Sequence, residues 1–345
     1  MAESKPLDNL SRGISQSLIG PVFSIAAALG IGALFIIASG KDPIKAYSAL
    51  VSGAFGSPYR IGETFVAATP LILMSLGMIV AFKTSVFNIG GPGQEHMGAI
   101  LATWVGINLT LPSFIHIPLM VISGFVGGAV WALVPALLKA KMGINEVVVT
   151  IMMNYLGIYF VGYLVTGPMM LPGAWIPMTP YIQATARLPV LVGRLSGDFI
   201  VALLAIPLVY LLMSRTVLGY KLRVVGENRT AARYAGINIT KSIVISMIIS
   251  GGLVGIAGMG EIAGLFYFVQ EGFSPGYGYT CIPVALLANL NPWGTLPAAV
   301  IFGMLYSGGL AMKAVSGVPQ ALTDVLQGLI LIFILSSELI KRRMK

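Results

Sequence analysis

Chemistry-bearing side chains are sparse in this 345-residue chain, so the few that interrupt its apolar runs carry the reading. Val86 to Ala99, VFNIGGPGQEHMGA, sets Asn88, Gln94, Glu95 and His96 among glycines and Pro92, between two apolar stretches. Asn154 lies inside another apolar run, Glu261 inside GMGEIAG and Tyr277 inside SPGYGYT. Amides, phenols and carboxylates can hydrogen-bond a neutral solute or hold an ion. Metal chemistry is not indicated, because one cysteine (Cys281) and two histidines (His96, His116) cannot build a centre. The one Gly-Lys pair, Gly40-Lys41, is followed by Asp42, and no GxxxxGK[ST] occurs. The chain is therefore not expected to cradle ATP phosphates itself, nor to bind a cofactor.

What positions these residues follows from the solvent. Hydrophobic residues make up 57% of the chain and charged residues 10%, with a mean hydropathy of +0.89. Soluble domains carry about 25% charged residues. The composition fits an all-α polytopic membrane protein, whose helices tolerate the 42 glycines and 20 prolines. MAESKPLDNLSRG is polar, and the apolar run after it exceeds a signal peptide's core, so no removable signal is expected. The net charge of +9 does not point to nucleic acid, because the basic residues cluster at helix ends rather than along an aromatic-laced stripe.

With about 20 apolar residues per crossing, the gaps between charges give spans near 16–39, 64–82, 95–110, 116–138, 147–167, 199–214, 242–265, 297–313 and 319–340. Residues 41–63 read as an external, partly amphipathic segment and 168–198 as a loop. FSPGYGYTCIPVALLANLNPWGT is too punctuated for an unbroken helix and reads as a broken or re-entrant eighth element. The expectation is one transmembrane domain over 1–345 with about ten crossings, or eight plus two re-entrant segments. Both termini then share one side with fifteen of the 21 Lys and Arg. That bias places 1–15, 214–242 and the tail 341–345 in the cytoplasm. NIGGPGQEHMGAILATW and SPGYGYTCIPVALLANL each put Gly/Pro punctuation before an apolar helix, a hint of two pseudo-repeated halves. Paired interrupted helices point to a transport path; ordinary glycine-mediated helix packing would give the same pattern.

Broken backbone at membrane depth must line a cavity or be buried in protein. The stretch at Asn88–Glu95 is either the wall of a translocation pathway or a polar turn at the surface after Lys83. Asn145 and Glu146 suit a helix cap and a first turn, and Asn154 either an interhelical bond or a pathway residue. Glu261 is a functional candidate because ionisable residues within spans are costly. Phe266, Tyr267, Phe268, Tyr277 and Tyr279 either stack on a solute ring or form an interfacial belt. GENRTAARYAGI has helical spacing, with Asn228 or Thr230 as N-cap and Gly236 as a stop.

Four ordered segments resemble permease subunits of bacterial ABC importers for nucleosides and simple sugars, within a superfamily that includes branched-chain amino acid permeases. They are FNIGGPGQEHMGA, GINEVVVTIMMNYLG, VVGENRTAARYAGINI and FSPGYGYTCIPVALLANLNP, together covering about 86 to 292. One departure is Pro92, where the family commonly has an acidic residue. The resemblance implies half of a pore in the cytoplasmic membrane, paired with a second, related permease. A cytoplasmic ATPase using ATP and Mg would drive it, and an extracytoplasmic substrate-binding lipoprotein would feed it. Ala231, Ala232 and Gly236 fit the A-A-x-x-x-G core of the ATPase-coupling loop, with Gly226, Glu227, Asn228 and Tyr234 around them. Asn88, Gln94, Glu95, Asn154, Glu261 and Tyr277 are the implied pathway residues. A nucleoside is the expected solute, with riboflavin, a simple sugar or a branched-chain amino acid as alternatives. An ion-coupled secondary transporter using Glu95 or Glu261 is the alternative from another class.

Overall fold

The computed structural model describes residues 25–343; the expected cytoplasmic N-terminus, 1–15, lies outside them. The helices are α1 (Ile25–Ala38), α2 (Pro43–Phe55), α3 (Pro58–Phe82), α4 (Gly91–Asn108), α5 (Ser113–Met142) and α6 (Glu146–Thr166). Then come α7 (Asp198–Arg215), α8 (Val217–Glu227), α9 (Arg229–Tyr234), α10 (Ile239–Glu261), α11 (Tyr277–Leu287), α12 (Thr295–Ser316) and α13 (Gln320–Arg343). Among the described residues, six helical stretches are long and apolar enough to cross a membrane, and three shorter apolar helices accompany them. The chain is thus a multi-pass helical protein.

Among the described residues two compact units divide the fold: residues 61–303, and the two ends, 25–60 with 304–343. Within 61–303, α4, α5 and α10 pack on one another and α6 packs against α4 and α5. The most enclosed span is α3, whose apolar window is 89% buried, against 22% for α6. Close approach of α10 to its neighbours depends on missing side chains. A Cβ on Gly98 would land on the Cα of Gly255, and one on Gly128 would land on the carbonyl of Gly251. Small residues at such crossings let backbones touch, the main source of helix association in lipid.

The end unit holds α2, within the 41–63 segment that the sequence marks as partly amphipathic. Asp42 caps it by accepting from Ile44 N, and Ala46, Ala49, Leu50, Gly53 and Ala54 form its buried face. That spacing is amphipathic helix, and at 13 residues it is too short to cross.

The 168–198 segment is a folded connection. It carries a 3-10 turn at Ala184–Ala186 and a two-stranded antiparallel hairpin, β1 (Val190–Val192) with β2 (Leu195–Ser196). Thr179, Ile182 and Leu188 donate backbone hydrogen bonds to Val269, Tyr267 and Ala263, stitching it to the chain that follows α10. The charged 215–241 region is mostly helix as α8 and α9. Its break falls at Asn228, so GENRTAARYAGI is not one helix: Gly226 and Glu227 end α8, and Asn228 starts α9.

Candidate functional site

The interrupted start of α4 is held by side chains supplied from elsewhere. Asn88 and Gln94 face each other as reciprocal amides, Nδ2 to Oε1 and Nε2 to Oδ1, both at 3.0 Å. Asn88 also accepts from Gly90 N at 2.9 Å and donates to Ser250 Oγ on α10 at 2.9 Å. Asn154 of α6 closes the other side, accepting from Gly93 N at 3.0 Å and donating to the Ile89 carbonyl at 2.9 Å. The His96 ring nitrogen Nδ1 sits 2.8 Å from the Pro92 carbonyl and the ring leans on Phe273. Asn88, Gln94 and Asn154 are fully buried. Asn88 and Asn154 replace backbone partners that the break removes, with Gln94 holding the Asn88 amide in place, an accounting that hydrocarbon would leave unmet.

The two punctuated segments that looked alike in the sequence meet in space. Gly91 at the start of α4 lies against Gly278 at the start of α11, and a Cβ on Gly278 would stand 2.7 Å from the Gly91 carbonyl carbon. The 11-residue α11 cannot cross a bilayer, which agrees with a broken or re-entrant element. Two helix N-termini therefore converge here.

Beside that crossing lie the two buried acids. Gly258 of α10 runs against the Glu95 carbonyl, and the carboxyls of Glu95 and Glu261 face each other, with Ser274 alongside Glu95. The backbone after Glu261 widens into a π-helical turn, Ile262–Phe266, ending at Tyr267 with φ +66°. Such turns recur at functional sites. A narrow cavity borders Glu261, Asp198, Ser196, Arg194 and Tyr277. Asp198 accepts from Ser196 Oγ and Phe199 N, and Arg194 pairs with Glu63 at 3.0 Å. The aromatic group expected near the end of α10 disperses: Tyr267 lies under Arg187, Phe268 meets Tyr181, Tyr277 lines the cavity and the Tyr279 hydroxyl accepts from Asn154.

At the opposite end of α10, α8 and α9 form an elbow. Asn228 is the N-cap, its Oδ1 accepting from Ala231 N at 3.0 Å, and Gly236 ends the turn with φ +72°. Ala232 is fully buried, whereas Glu227, Asn228, Ala231, Tyr234 and Gly236 are exposed, Tyr234 to 90%. The elbow is tied to the chain entering the broken helix. Ser85 Oγ donates to the Gly226 carbonyl at 2.6 Å, and Arg229 donates to the Ser85 carbonyl at 3.2 Å. Lys83, just past α3, is half-buried; burial, then the nearby Arg223 guanidinium, lowers its ammonium from the ordinary lysine value.

Three features escaped the sequence reading. Ser85 and Ser274 gave no local signal. The third is a tyrosine face on α6, Tyr155, Tyr159 and Tyr163, all exposed; the four-residue spacing was visible in YLGIYFVGY, but nothing there said which face was covered.

The chain matches the family described as branched-chain amino acid transport system / permease component over residues 60–335. It is 37% identical to a guanosine ABC transporter permease of Bacillus subtilis, with 94% of each chain covered. It is 34% identical to a glucose ABC transporter permease of Haloferax volcanii, covering 93% of this chain and 88% of that one. A nucleoside ABC transporter permease of Lactococcus lactis is 32% identical, covering 93% and 91%. No solved structure matches the chain. A broken-helix crossing inside a multi-pass bundle, an exposed elbow at its charged end and these likenesses converge: the chain belongs to the branched-chain amino acid transport system / permease component family, as a permease subunit of an ABC transporter.

Proposed function

We propose that this permease forms half of an import path for a nucleoside, completed by a second, related permease. A cytoplasmic ATPase, which binds the ATP and Mg, docks on the exposed face of the elbow: Glu227, Asn228, Ala231, Tyr234 and Gly236. An extracytoplasmic binding lipoprotein delivers the solute, and both termini lie in the cytoplasm. Two of the three relatives above carry nucleoside names and one a glucose name. The shared chemistry is a neutral, hydroxyl-rich ring.

The observation that carries this reading is the mechanical continuity from elbow to broken helix. Gly226 and Arg229 grip Ser85, and three residues on, Asn88 begins the bracket that holds Gln94, the residue before Glu95. A rigid-body push on α9 therefore reaches the α4–α11 crossing without passing through a flexible linker. Asn88, Gln94, Glu95, Asn154, Glu261 and Tyr277 then shape the path from behind its wall, since all six are buried. The wall itself is assigned to the tyrosine face of α6. Tyr155 stands about 13 Å from Glu146 and about 16 Å from Thr166 at 1.5 Å per residue, near the bilayer centre. A phenol there faces water or protein, because lipid tails would leave its hydroxyl unpaired.

The test is reconstitution with the companion ATPase, partner permease and binding protein in lipid vesicles. Guanosine uptake that requires ATP and stops with a non-hydrolysable analogue is the expected result. Uptake without nucleotide that collapses with an ionophore would return the ion-coupled reading. ATP-driven uptake of riboflavin, glucose or leucine in place of guanosine would change only the solute.

A further inference from the structure

Glu95 and Glu261 share a feature that transport does not require. Their residues are 0% and 4% exposed, and their carboxyls face one another across the α4–α10 contact. Both oxygens of Glu95 and Oε2 of Glu261 find no donor in full hydrogen-bond geometry among the described residues, and the Ser274 hydroxyl beside Glu95 is the nearest neutral group that could supply one. Ionised carboxylates only accept. Two of them in contact need something between them, a proton or a cation.

The charged and titratable groups around the pair leave the proton. From α4, His96 is engaged with the Pro92 carbonyl and Phe273. From α7, Asp198 already accepts from Ser196 and Phe199; it adds negative charge, not a counter-ion. From the hairpin, Arg194 is committed to Glu63. From α11 come Tyr277 and Cys281, neither a cation. No group of three or more His, Cys, Asp or Glu among the described residues is arranged to hold a metal ion. The cavity beside Glu261 offers about 20 Å³ to the centre of a water molecule, enough for roughly one water. It is large enough to pass a proton and too small for a solute.

We propose that Glu95 and Glu261 bind one exchangeable proton between them, reached through the adjoining cavity, and that this proton clasps the broken α4 to α10. One O–H bond on one carboxyl then donates to an oxygen of the other. Loss of the proton to a cavity water, as hydronium, leaves two carboxylates that repel and loosens the α4–α10 contact beside the α4–α11 crossing. No other bond changes.

Infrared spectroscopy of the purified full-length permease in lipid nanodiscs at neutral pH tests this without any transport assay, so its failure is separable from failure of the import reading. A protonated-carboxyl C=O stretch is expected, shifting in D2O and shifting again on 13C labelling of glutamate. Glu95→Gln and Glu261→Gln should each abolish the band, because the remaining carboxylate then accepts from the new amide. Asp198→Asn should leave it in place. Absence of the band, its survival in either glutamine variant of unchanged folding, or its loss in Asp198→Asn overturns the proposal. If a glutamine variant does not fold, the glutamate isotope shift in the parent decides: no shift, no shared glutamate proton.

Discussion

Ser85 Oγ donates to the carbonyl of Gly226 across 141 residues, at 2.6 Å. Ser85 itself sits at φ +53°, a left-handed conformation that few side chains adopt. The tie thus holds a strained turn between α3 and the broken α4. Ser85→Ala removes the bond and leaves the fold, at about 1 kcal/mol. We expect retained association with the ATPase, retained ATP hydrolysis and several-fold lower uptake, read by parallel hydrolysis and uptake in vesicles.

The elbow surface gives a sharper pair. Ala231 is exposed and Ala232 is fully buried one residue away. Ala231→Arg should block capture of the ATPase while leaving the melting temperature of the permease unchanged. Ala232→Arg should lower that temperature as well, because the guanidinium has no room. Pull-down and thermal unfolding, run together, separate the two.

Asn154 tests the bracket. Its Oδ1 and Nδ2 satisfy Gly93 N and the Ile89 carbonyl, two backbone groups freed by the break. Asn154→Ala strands both, each costing about 1–3 kcal/mol. Thermal unfolding in detergent should fall markedly, and further than for Asn108→Ala, whose amide bonds the Trp104 carbonyl at an exposed position.

The crossing of the two short helix starts is tight enough to read with one methyl group. Gly278→Ala would push its Cβ onto Pro92 N and the Gly91 carbonyl carbon, an overpacking of roughly 1–3 kcal/mol. Reduced thermal stability and reduced uptake are expected together, whereas Gly62→Ala, which meets open space, should change neither.

Cysteines at 155, 159 and 163 probe the proposed wall. The native Cys281 is fully buried, so background labelling should be low. A membrane-impermeant thiol reagent should modify all three in the assembled transporter and spare cysteines at Leu156 and Phe160. Equal protection of all five positions would place the tyrosine face against lipid or the partner permease.

Much of this was local and therefore readable. Hydropathy ran high from Thr64 to Phe82 because that stretch must sit in an apolar medium, and α3 covers it. Asn145, Asn228 and Gly236 announced a cap, a cap and a stop, because capping involves backbone only two or three residues away. The amphipathic character of 41–63 was legible too, and α2 carries it with a buried face that is mostly alanine.

Residue type and spacing fixed the helical, apolar class, the two interruptions and the elbow, since each follows from a side chain's transfer energy or its effect on its own backbone. Of about ten crossings expected, six described helices are long and apolar enough to cross. Tertiary structure alone decided that Glu95 meets Glu261, that Ser85 ties to Gly226, and that the aromatics near 266–279 scatter to different partners. Those pairings depend on how closely α4, α10 and α11 approach. Glycines at Gly91, Gly98, Gly255, Gly258 and Gly278 permit that approach, but a glycine in a sequence does not say which backbone will come to lie against it.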